Sequence, residues 1–556
     1  MSQKKTRLRV IPLGGLGEIG KNMTVLEYGN DMVVIDAGIM FPDDDHPGVD
    51  LILPDFGYIV RRKEKLRAIV ITHGHEDHTG ALPYLLKEVG PGVPILGTKL
   101  TLGLISGKLE EHRIKKPKLR EIHPDGHVNI GPFGFDFIPV NHSIPDGVAL
   151  FIRTPVGNIL HTGDFKFDQT PIDGRLTDYG ALATAGKKGV RLLLSDSTNA
   201  ESAGITKSEA TVGSALQDIF ATADQRIIVA SFASHIHRLQ QVCDAAVAAG
   251  RKVAVTGRSM INNTKIARQL GYLNISDDNL VDAYEMGDLP PEKVVVLSTG
   301  SQGEPLSALA RMANHDHRTV TIEKGDTVVI SATPIPGNEK AVSRVINRLS
   351  KAGATIEHKG TAAVHVSGHA AAEELKLMLN LVKPTCFVPV HGESRHLAAH
   401  ANLAKLTGVA EENVFVLDNG DCLELTENSV RVADRVESGV VYVDGLSVGD
   451  VGQVVIRDRQ MLARDGVATV IIAIDQQNGR PMGTPELVTR GISLGADDSA
   501  FLDEARARVA KTLAKTAREG ATDHSVVKNA VRESLSQFFW ERTRSRPMVV
   551  PVVMEV

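Results

Sequence analysis

A chain of 556 residues suggests about three or four domains at roughly 150 residues each, with ample room for a buried core. Apolar residues at 42% and charged residues at 23%, with 51 Gly and 25 Pro, exclude a disordered, collagenous or coiled-coil chain. A net charge of −5 and only 4% aromatics argue against a globally basic nucleic-acid binder and against binding mainly by aromatic stacking.

The first forty residues hold short β-rich runs at Leu8–Leu13, Thr24–Tyr28 and Met32–Asp36, with a hairpin turn at Gly29-Asn30-Asp31. Strand-like runs then alternate with helical patterns. Ala68–Thr72, Gly134–Val140, Asn158–His161 and Arg191–Leu194 are short and apolar, and each ends at or just before a His or an Asp. Polar groups placed at strand ends converge on one edge of a sheet.

From Ser208 to Gly353 the rhythm becomes a regular strand–helix alternation. Strands are expected at Arg226–Ser231, Lys252–Thr256, Lys293–Thr299 and Asp326–Ala332, and helices at His237–Ala249, Met260–Leu270, Pro305–Ala313 and Glu339–Ala352. This predicts a doubly wound parallel sheet inserted within another domain, because the earlier style resumes afterwards. Ala363–Val366, leading into Ser367-Gly368-His369, and Cys386–Val390, leading into His391, read as further strand ends. Beyond Asn419 the chain reads as β-rich with turns at Gly445, Gly449 and Gly452, then as helices Asp498–Glu519 and Asp523–Arg542 and a Val-rich end. The expected division is 1–207 and 359–445 for the host domain, 208–358 for the insertion, 446–465 for a linker and 466–556 for a small C-terminal α/β domain.

His73-Gly74-His75-Glu76-Asp77-His78 packs three imidazoles and two carboxylates directly after an apolar run. His73 and His75, two apart on an extended segment, can point the same way and chelate one cation. Asp77 and His78 open a helix and can turn toward a second. Imidazole with carboxylate oxygen suits Zn²⁺ better than Mn²⁺.

This signature resembles the metallo-β-lactamase superfamily, whose αββα fold gathers a dinuclear metal site along one edge of two sheets. The resemblance implies His142 as a third imidazole beside His73 and His75, and Asp164 in His161-Thr162-Gly163-Asp164 as the bridging carboxylate. Asp77 and His78 would hold the second ion. The inserted domain is similar to that of the β-CASP nucleases, whose added motifs correspond to Asp196, His369 and His391. In that group a His at the last position accompanies RNA substrates, so His391 is expected as a ligand of the second ion. Gly14–Asn22, Ser231–Ser234, Ser298–Pro305, His365–His369, Asp444–Arg459 and the extra C-terminal domain resemble the bacterial ribonuclease J family along essentially the whole chain.

The resemblance implies a ribonuclease degrading RNA 5′→3′ with preference for a 5′-monophosphate, and also cutting internally. Two Zn²⁺ per subunit are implied, with Mn²⁺ or Mg²⁺ as alternatives in activity. His369 is expected to protonate the leaving 3′ oxygen, with Asp196 orienting it or sharing the role. A terminal-phosphate pocket is expected from Ala233, Ser234 and His235 with His365, Val366, Ser367, Gly368 and His369; a capping or surface role for His235 and His237 is the alternative. The partners implied are single-stranded RNA, a second or fourth copy of the chain, and an RNA-degradation complex. Two other readings stay open: a thioester or lactone hydrolase on the same site, and a catalytically dead RNA-binding scaffold.

Other features read as background. Gly15-Leu16-Gly17-Glu18-Ile19-Gly20, with Asp36 about 16 residues on, is a literal dinucleotide-binding pattern, but a strand follows it where a helix is required. His396 and His400 read as surface residues, and His315 and His317 as exposed loop residues. The basic runs Arg113–Arg120 and Arg542–Arg546 read as solvated faces, with RNA contact as the alternative, and Trp540 as an anchor buried between copies or, equally, a core residue. Three scattered cysteines, Cys243, Cys386 and Cys422, suit a reducing compartment. No apolar run approaches signal-peptide or membrane-span length, so a cytoplasmic protein without membrane association is expected.

Overall fold

In the computed structural model, Leu8–Gly14 pairs antiparallel with Met23–Tyr28, which turns through Gly29 and Asn30 into Asp31–Ile35. The structure describes residues 7–43, 45–304, 307–335, 338–445, 447–475, 480–493, 498–519 and 523–555. Pro305, the expected start of a helix, Leu446, the expected start of the linker, and the basic residues 1–6 lie outside them. The described chain forms two compact units: the chain up to Phe41 with Ile52–Val441, and Pro42–Leu51 with the chain from Tyr442 onward.

The first unit contains the expected αββα sandwich. One sheet has eight strands in the order Val430–Ala433, Cys422–Leu425, Leu8–Gly14, Met23–Tyr28, Asp31–Ile35, Leu66–Val70, Ile95–Gly97, Leu119–Glu121. The other has six, in the order Cys386–Val390, Leu192–Asp196, Ile159–His161, Val148–Arg153, Phe133–Pro139, His127–Ile130. Alternation along the strands explains the layering. Leu26, Val33 and Val70 of one sheet meet Phe135, Leu150 and Leu194 of the other in a shared core. The next residues along, such as Phe151, Leu193 and Phe387, turn outward and pack on helices Tyr179–Lys188, Ala372–Val382 and Ser394–Leu406.

The insertion forms a separate parallel sheet in the order Leu280–Val281, Lys252–Val255, Val294–Ser298, Ile227–Ala230, Thr327–Ile330, Thr355–Glu357. Both faces are buried: Ile227 and Val229 face one core, Ile228 and Ala230 the other. This is why these strands read as continuous apolar runs. Its helix Arg258–Leu270 packs on Lys99–Glu111 of the sandwich, so Leu100 and Leu104 belong to the insertion's core.

Several expectations are corrected. Ala363–Val366 belongs to no strand: the Val364 N–H turns back to the Ala362 carbonyl at 2.8 Å, and side chains instead of a sheet neighbour take the Val364 carbonyl. The 446–465 segment contains helix Gln453–Asp465, whose Ile456 is buried and whose Arg459 donates to the carbonyls of Pro47 and Gly48. His396 and His400 are buried rather than on the surface, because their helix lays that face against Phe387 and Ser197. His317 is half-buried, its Nδ1 accepting the Val320 N–H. Trp540 is 39% exposed with the guanidinium groups of Arg544 and Arg546 over its ring, so it is not packed in the core of the single chain.

In the second unit, strands Glu486–Arg490, Val467–Ile474 and Met548–Glu555 form one sheet, packed through Val470, Ile472 and Val549 on helices Asp498–Arg518 and His524–Thr543. Among the described residues, no helix is long and apolar enough to cross a membrane.

Candidate metal centre

Five strands of the sandwich deliver polar residues to one end. His73 and His75 follow Leu66–Val70; His142 follows Phe133–Pro139; Asp164 follows Ile159–His161; Asp196 ends Leu192–Asp196; His391 follows Cys386–Val390. The parallel register pairing Asp196 with Val390 sets Asp196 and His391 side by side. His391 has φ of 56° and Asp36 of 60°, left-handed conformations that a non-glycine residue holds only where its surroundings enforce them.

Three groups of four donor atoms result among the described residues, all sharing Asp164; one of them joins it to Asp196, His369 and His391. His73, His75 and His142 gather with Asp164, and Asp77, His78 and His391 gather with the same Asp164. In the first group, Nδ1 of His75 lies 3.1 Å from Nε2 of both His73 and His142, which lie 3.7 and 3.6 Å from Asp164 Oδ2. In the second, Nε2 of His78 and of His391 lie 3.2 and 3.5 Å from that same Oδ2, and 3.6 and 3.1 Å from Asp77 Oδ2. Ligands about 2.0–2.1 Å from a tetrahedral ion sit about 3.3 Å apart, so both donor sets fit a small divalent ion. Asp164 Oδ2 is common to the two.

Partners behind the imidazoles set which nitrogen faces inward. His142 donates from Nδ1 to the Gly368 carbonyl at 2.7 Å, and His78 donates from Nδ1 to Asp36 at 2.8 Å. The Thr72 hydroxyl gives its proton to Asp36 and therefore accepts from His73 Nδ1. The Thr198 hydroxyl gives its proton to the His391 carbonyl and accepts from His391 Nδ1. Each arrangement turns the Nε2 lone pair inward; that of His78 also faces the Asn22 amide nitrogen at 3.1 Å. A Cβ on Gly368 would stand 2.7 Å from the His142 ring, so only glycine lets its carbonyl come this close.

The sequence reading missed Asp36, Thr72 and Thr198. Asp36 entered it as the end of a β-rich run and the acid of a dinucleotide pattern, not as a partner of the histidines. The one local signal was Asp36 at the end of a strand.

Electrostatics follow from burial among carboxylates. Burial and the neighbouring His78 hold His73 well below its usual range, and burial holds His142 there too, despite Asp164. Burial lowers His75 to about 4, with Asp77 and Asp164 opposing. Burial also opposes charge on His78, but Asp164, Asp77 and Asp36 outweigh it and raise His78 well above the usual value. Burial disfavours the Asp164 carboxylate, yet His391, His78 and His73 hold it ionised. The site is therefore built for positive charge.

In the third group, His369 donates from Nδ1 to Asp196 Oδ2 at 2.8 Å and lies 4.0 Å from Asp164. Burial opposes its charge, but Asp196 overrides this and raises its pKa. The expected terminal-phosphate residues are only partly brought to this point. Ser367 is half-buried and accepts the His369 N–H, while the Val366 side chain lies in the insertion's core, leaving only its backbone for a ligand. His235 is buried 3.4 Å from Glu209, and Ala233 and Ser234 are half-buried just before it. Nε2 of His235 and Nδ1 of His365 are buried without a hydrogen-bond partner.

A metal centre at one end of an αββα sandwich, with a parallel sheet inserted into it, defines a hydrolase of the metallo-β-lactamase superfamily. Residues 16–200 match the family model of the metallo-beta-lactamase superfamily, 224–349 that of the ribonuclease J beta-CASP domain, 355–417 that of a Zn-dependent metallo-hydrolase RNA specificity domain, and 454–556 that of the ribonuclease J C-terminal domain. The chain is 41% identical to ribonuclease J2 of Bacillus subtilis (strain 168) over 558 residues, covering 100% of both chains. It is 44% identical to ribonuclease J of Mycolicibacterium smegmatis, covering 99% of this chain and 97% of that one, and 43% identical to ribonuclease J of Thermus thermophilus, covering 99% and 95%. A crystal structure of a protein of unknown function from Enterococcus faecalis V583 shares the fold at 15% identity and a TM-score of 0.53, covering 75% of this chain and 100% of that one. The chain belongs to the ribonuclease J family, and it is a metal-dependent ribonuclease.

Proposed function

We propose that the chain is a two-metal exoribonuclease that degrades RNA 5′→3′, prefers a 5′-monophosphate end, and also cuts internally. The observation that carries this is the pair of four-donor sets sharing one oxygen of Asp164, with the Asp196–His369 pair alongside. The ions, two Zn²⁺ per subunit with Mn²⁺ or Mg²⁺ as alternatives in activity, supply when bound an activated water and neutralise charge on the phosphoryl oxygens. His73, His75 and His142 would hold one and Asp77, His78 and His391 the other, with Asp164 within reach of both.

Asp196 fixes the His369 ring through Nδ1 and keeps it protonated, so Nε2–H is the proton that meets the leaving 3′ oxygen. The products are a 5′-phosphate and a 3′-hydroxyl. Backbone N–H groups and hydroxyls of Ala233, Ser234, Ser367 and Gly368, with His235 and His365, receive the terminal phosphate. The buried Nδ1 of His365, without a hydrogen-bond partner, supports that assignment. His369 closes the pocket on the side of the scissile bond, and Val366 contributes backbone only.

Family likeness supports the rest of the reading: single-stranded RNA as substrate, a cytoplasmic homodimer or homotetramer, and association with an RNA-degradation complex. The division into a host domain of 1–207 and 359–445, an insertion of 208–358 and a C-terminal domain of 466–556 belongs to the same proposal. The test is a labelled RNA carrying either a 5′-monophosphate or a 5′-hydroxyl, incubated with and without Zn²⁺ or Mn²⁺. Faster mononucleotide release from the monophosphate end is expected. Equal rates from both ends, or fragments without mononucleotides, would overturn it.

A further inference from the structure

Arg238 is the largest wholly buried side chain among the described residues, and the chemistry above makes no use of it. Its position is unusual for a buried charge. Nε and Nη2 donate to one oxygen of Glu209, at 2.9 and 2.5 Å. Nη1 meets no second carboxylate. It donates to the Val364 carbonyl at 2.6 Å, to the Ser331 carbonyl at 3.3 Å, and to the Ser331 hydroxyl. The Ser331 hydroxyl itself donates to the Val364 carbonyl at 2.7 Å.

One guanidinium thus joins four passages of chain. Glu209 stands at the entry to the insertion, where its N–H donates to Asp168 of the sandwich at 2.9 Å. Arg238 lies on the insertion's helix Ile236–Ala248, and Ser331 directly follows its strand Thr327–Ile330. Val364 begins the segment that returns to the metal centre. That segment has no sheet neighbour, so Arg238 and Ser331 are what its first carbonyl holds. Its far end is pinned at the site: Gly368 to His142, and the His369 carbonyl to Asn199 and Thr206.

We propose that Arg238 is a positioning residue for the cleavage step, acting through His369 by fixing the start of the 364–369 segment against the insertion. This rests on the reading of His369 as proton donor. Only a planar fork of five N–H groups can serve a carboxylate and two carbonyls at once; a lysine in its place keeps the charge opposite Glu209 but cannot reach all of them. Reorientation of a proton donor by a fraction of an ångström slows chemistry without weakening binding of the remaining RNA.

The experiment uses the full-length, metal-loaded protein and compares Arg238→Lys, Ser331→Ala and His369→Ala, alone and combined, on 5′-monophosphorylated RNA. The measured quantities are melting temperature, metal content, RNA affinity and single-turnover rate. For Arg238→Lys the expected result is a rate about ten-fold lower or more, with metal content and RNA affinity within about two-fold of the parent. Ser331→Ala should follow in the same direction by less. In the His369→Ala background, Arg238→Lys should change the rate by less than about two-fold, since the donor it positions is gone.

An unchanged rate in Arg238→Lys and Ser331→Ala overturns the proposal, as does a loss that tracks lost metal, or an equal slowing in the His369→Ala background. Should Arg238→Lys fail to fold, Ser331→Ala decides by the same criteria. If His369→Ala alone keeps the parental rate, the donor reading fails by itself, and any slowing by Arg238→Lys then passes elsewhere and overturns the proposal too.

Discussion

Asp36 accepts the Nδ1–H of His78 at 2.8 Å on one oxygen and the main-chain N–H of Thr72 at 2.8 Å on the other. Through the Thr72 hydroxyl it also reaches His73. One buried carboxylate therefore orients an imidazole of each donor set. Asp36→Asn keeps the size and tolerates the backbone φ of 60° but loses an acceptor. Metal affinity should fall by about 10–100-fold with the fold retained. Chelator competition with circular dichroism checks this; parental affinity in the variant would show that Asp36 does not orient His78.

Gly368 and His142 provide a steric test. A methyl at residue 368 would stand 2.7 and 2.8 Å from Cε1 and Nδ1 of His142, well inside contact distance. Gly368→Ala should displace His142 and lose about one metal equivalent, while Ser367→Ala keeps full metal content. Metal analysis of the two purified variants is the measurement. Full occupancy in Gly368→Ala would contradict the assignment of His142.

Asp164 belongs to both donor sets, His73 to one. Asp164→Ala and His73→Ala should each reduce cleavage by well over the roughly 100-fold that loss of a supporting partner costs. RNA affinity should change little, since phosphate contacts elsewhere carry binding. Filter binding beside a cleavage assay separates the two; residual activity near the parent level would sink the two-metal arrangement.

Metal affinity should depend on pH through His391. Burial disfavours its charge, but Asp164, Asp77 and Asp196 outweigh that and raise it to about 9 in the metal-free protein. The unfolded value is about 6.5, so the folded value lies above it. The proton-linked stability of the metal-free fold is thus complete below about pH 6.5 and lost as pH rises through about 9. A cation needs the neutral imidazole and must displace that proton. With His391 and His78 both raised, affinity of the Asp77–His78–His391 set should therefore climb with pH throughout the range below about 9. Competition titrations across that range would refute the coupling if the affinity stayed flat.

Regularities of period and motif are legible in the sequence. The insertion's strands and helices were readable because both faces of its sheet are buried, as with Ile227 and Ile228, and its helices are amphipathic. The C-terminal helices were readable for the same reason, as were the strand-end positions of His73, Asp164 and Asp196. The helix Gln453–Asp465 was not, since it follows the Gly445, Gly449 and Gly452 turns and Ile456 alone is buried on it. His396 and His400 looked exposed because their helix has polar residues on several sides, and only packing on Phe387 chose the buried face.

By itself the sequence determined the residue types at the ends of the strands, because apolar alternation and a dense His–Asp cluster are local properties of the chain. Only the tertiary structure decided which of those side chains share an oxygen, which imidazole nitrogen points inward, and that Asp36, Thr72 and Thr198 set the choice. These depend on strand register and on hydrogen bonds between residues as far apart as Thr198 and His391, or His142 and Gly368, whose meeting no local pattern records.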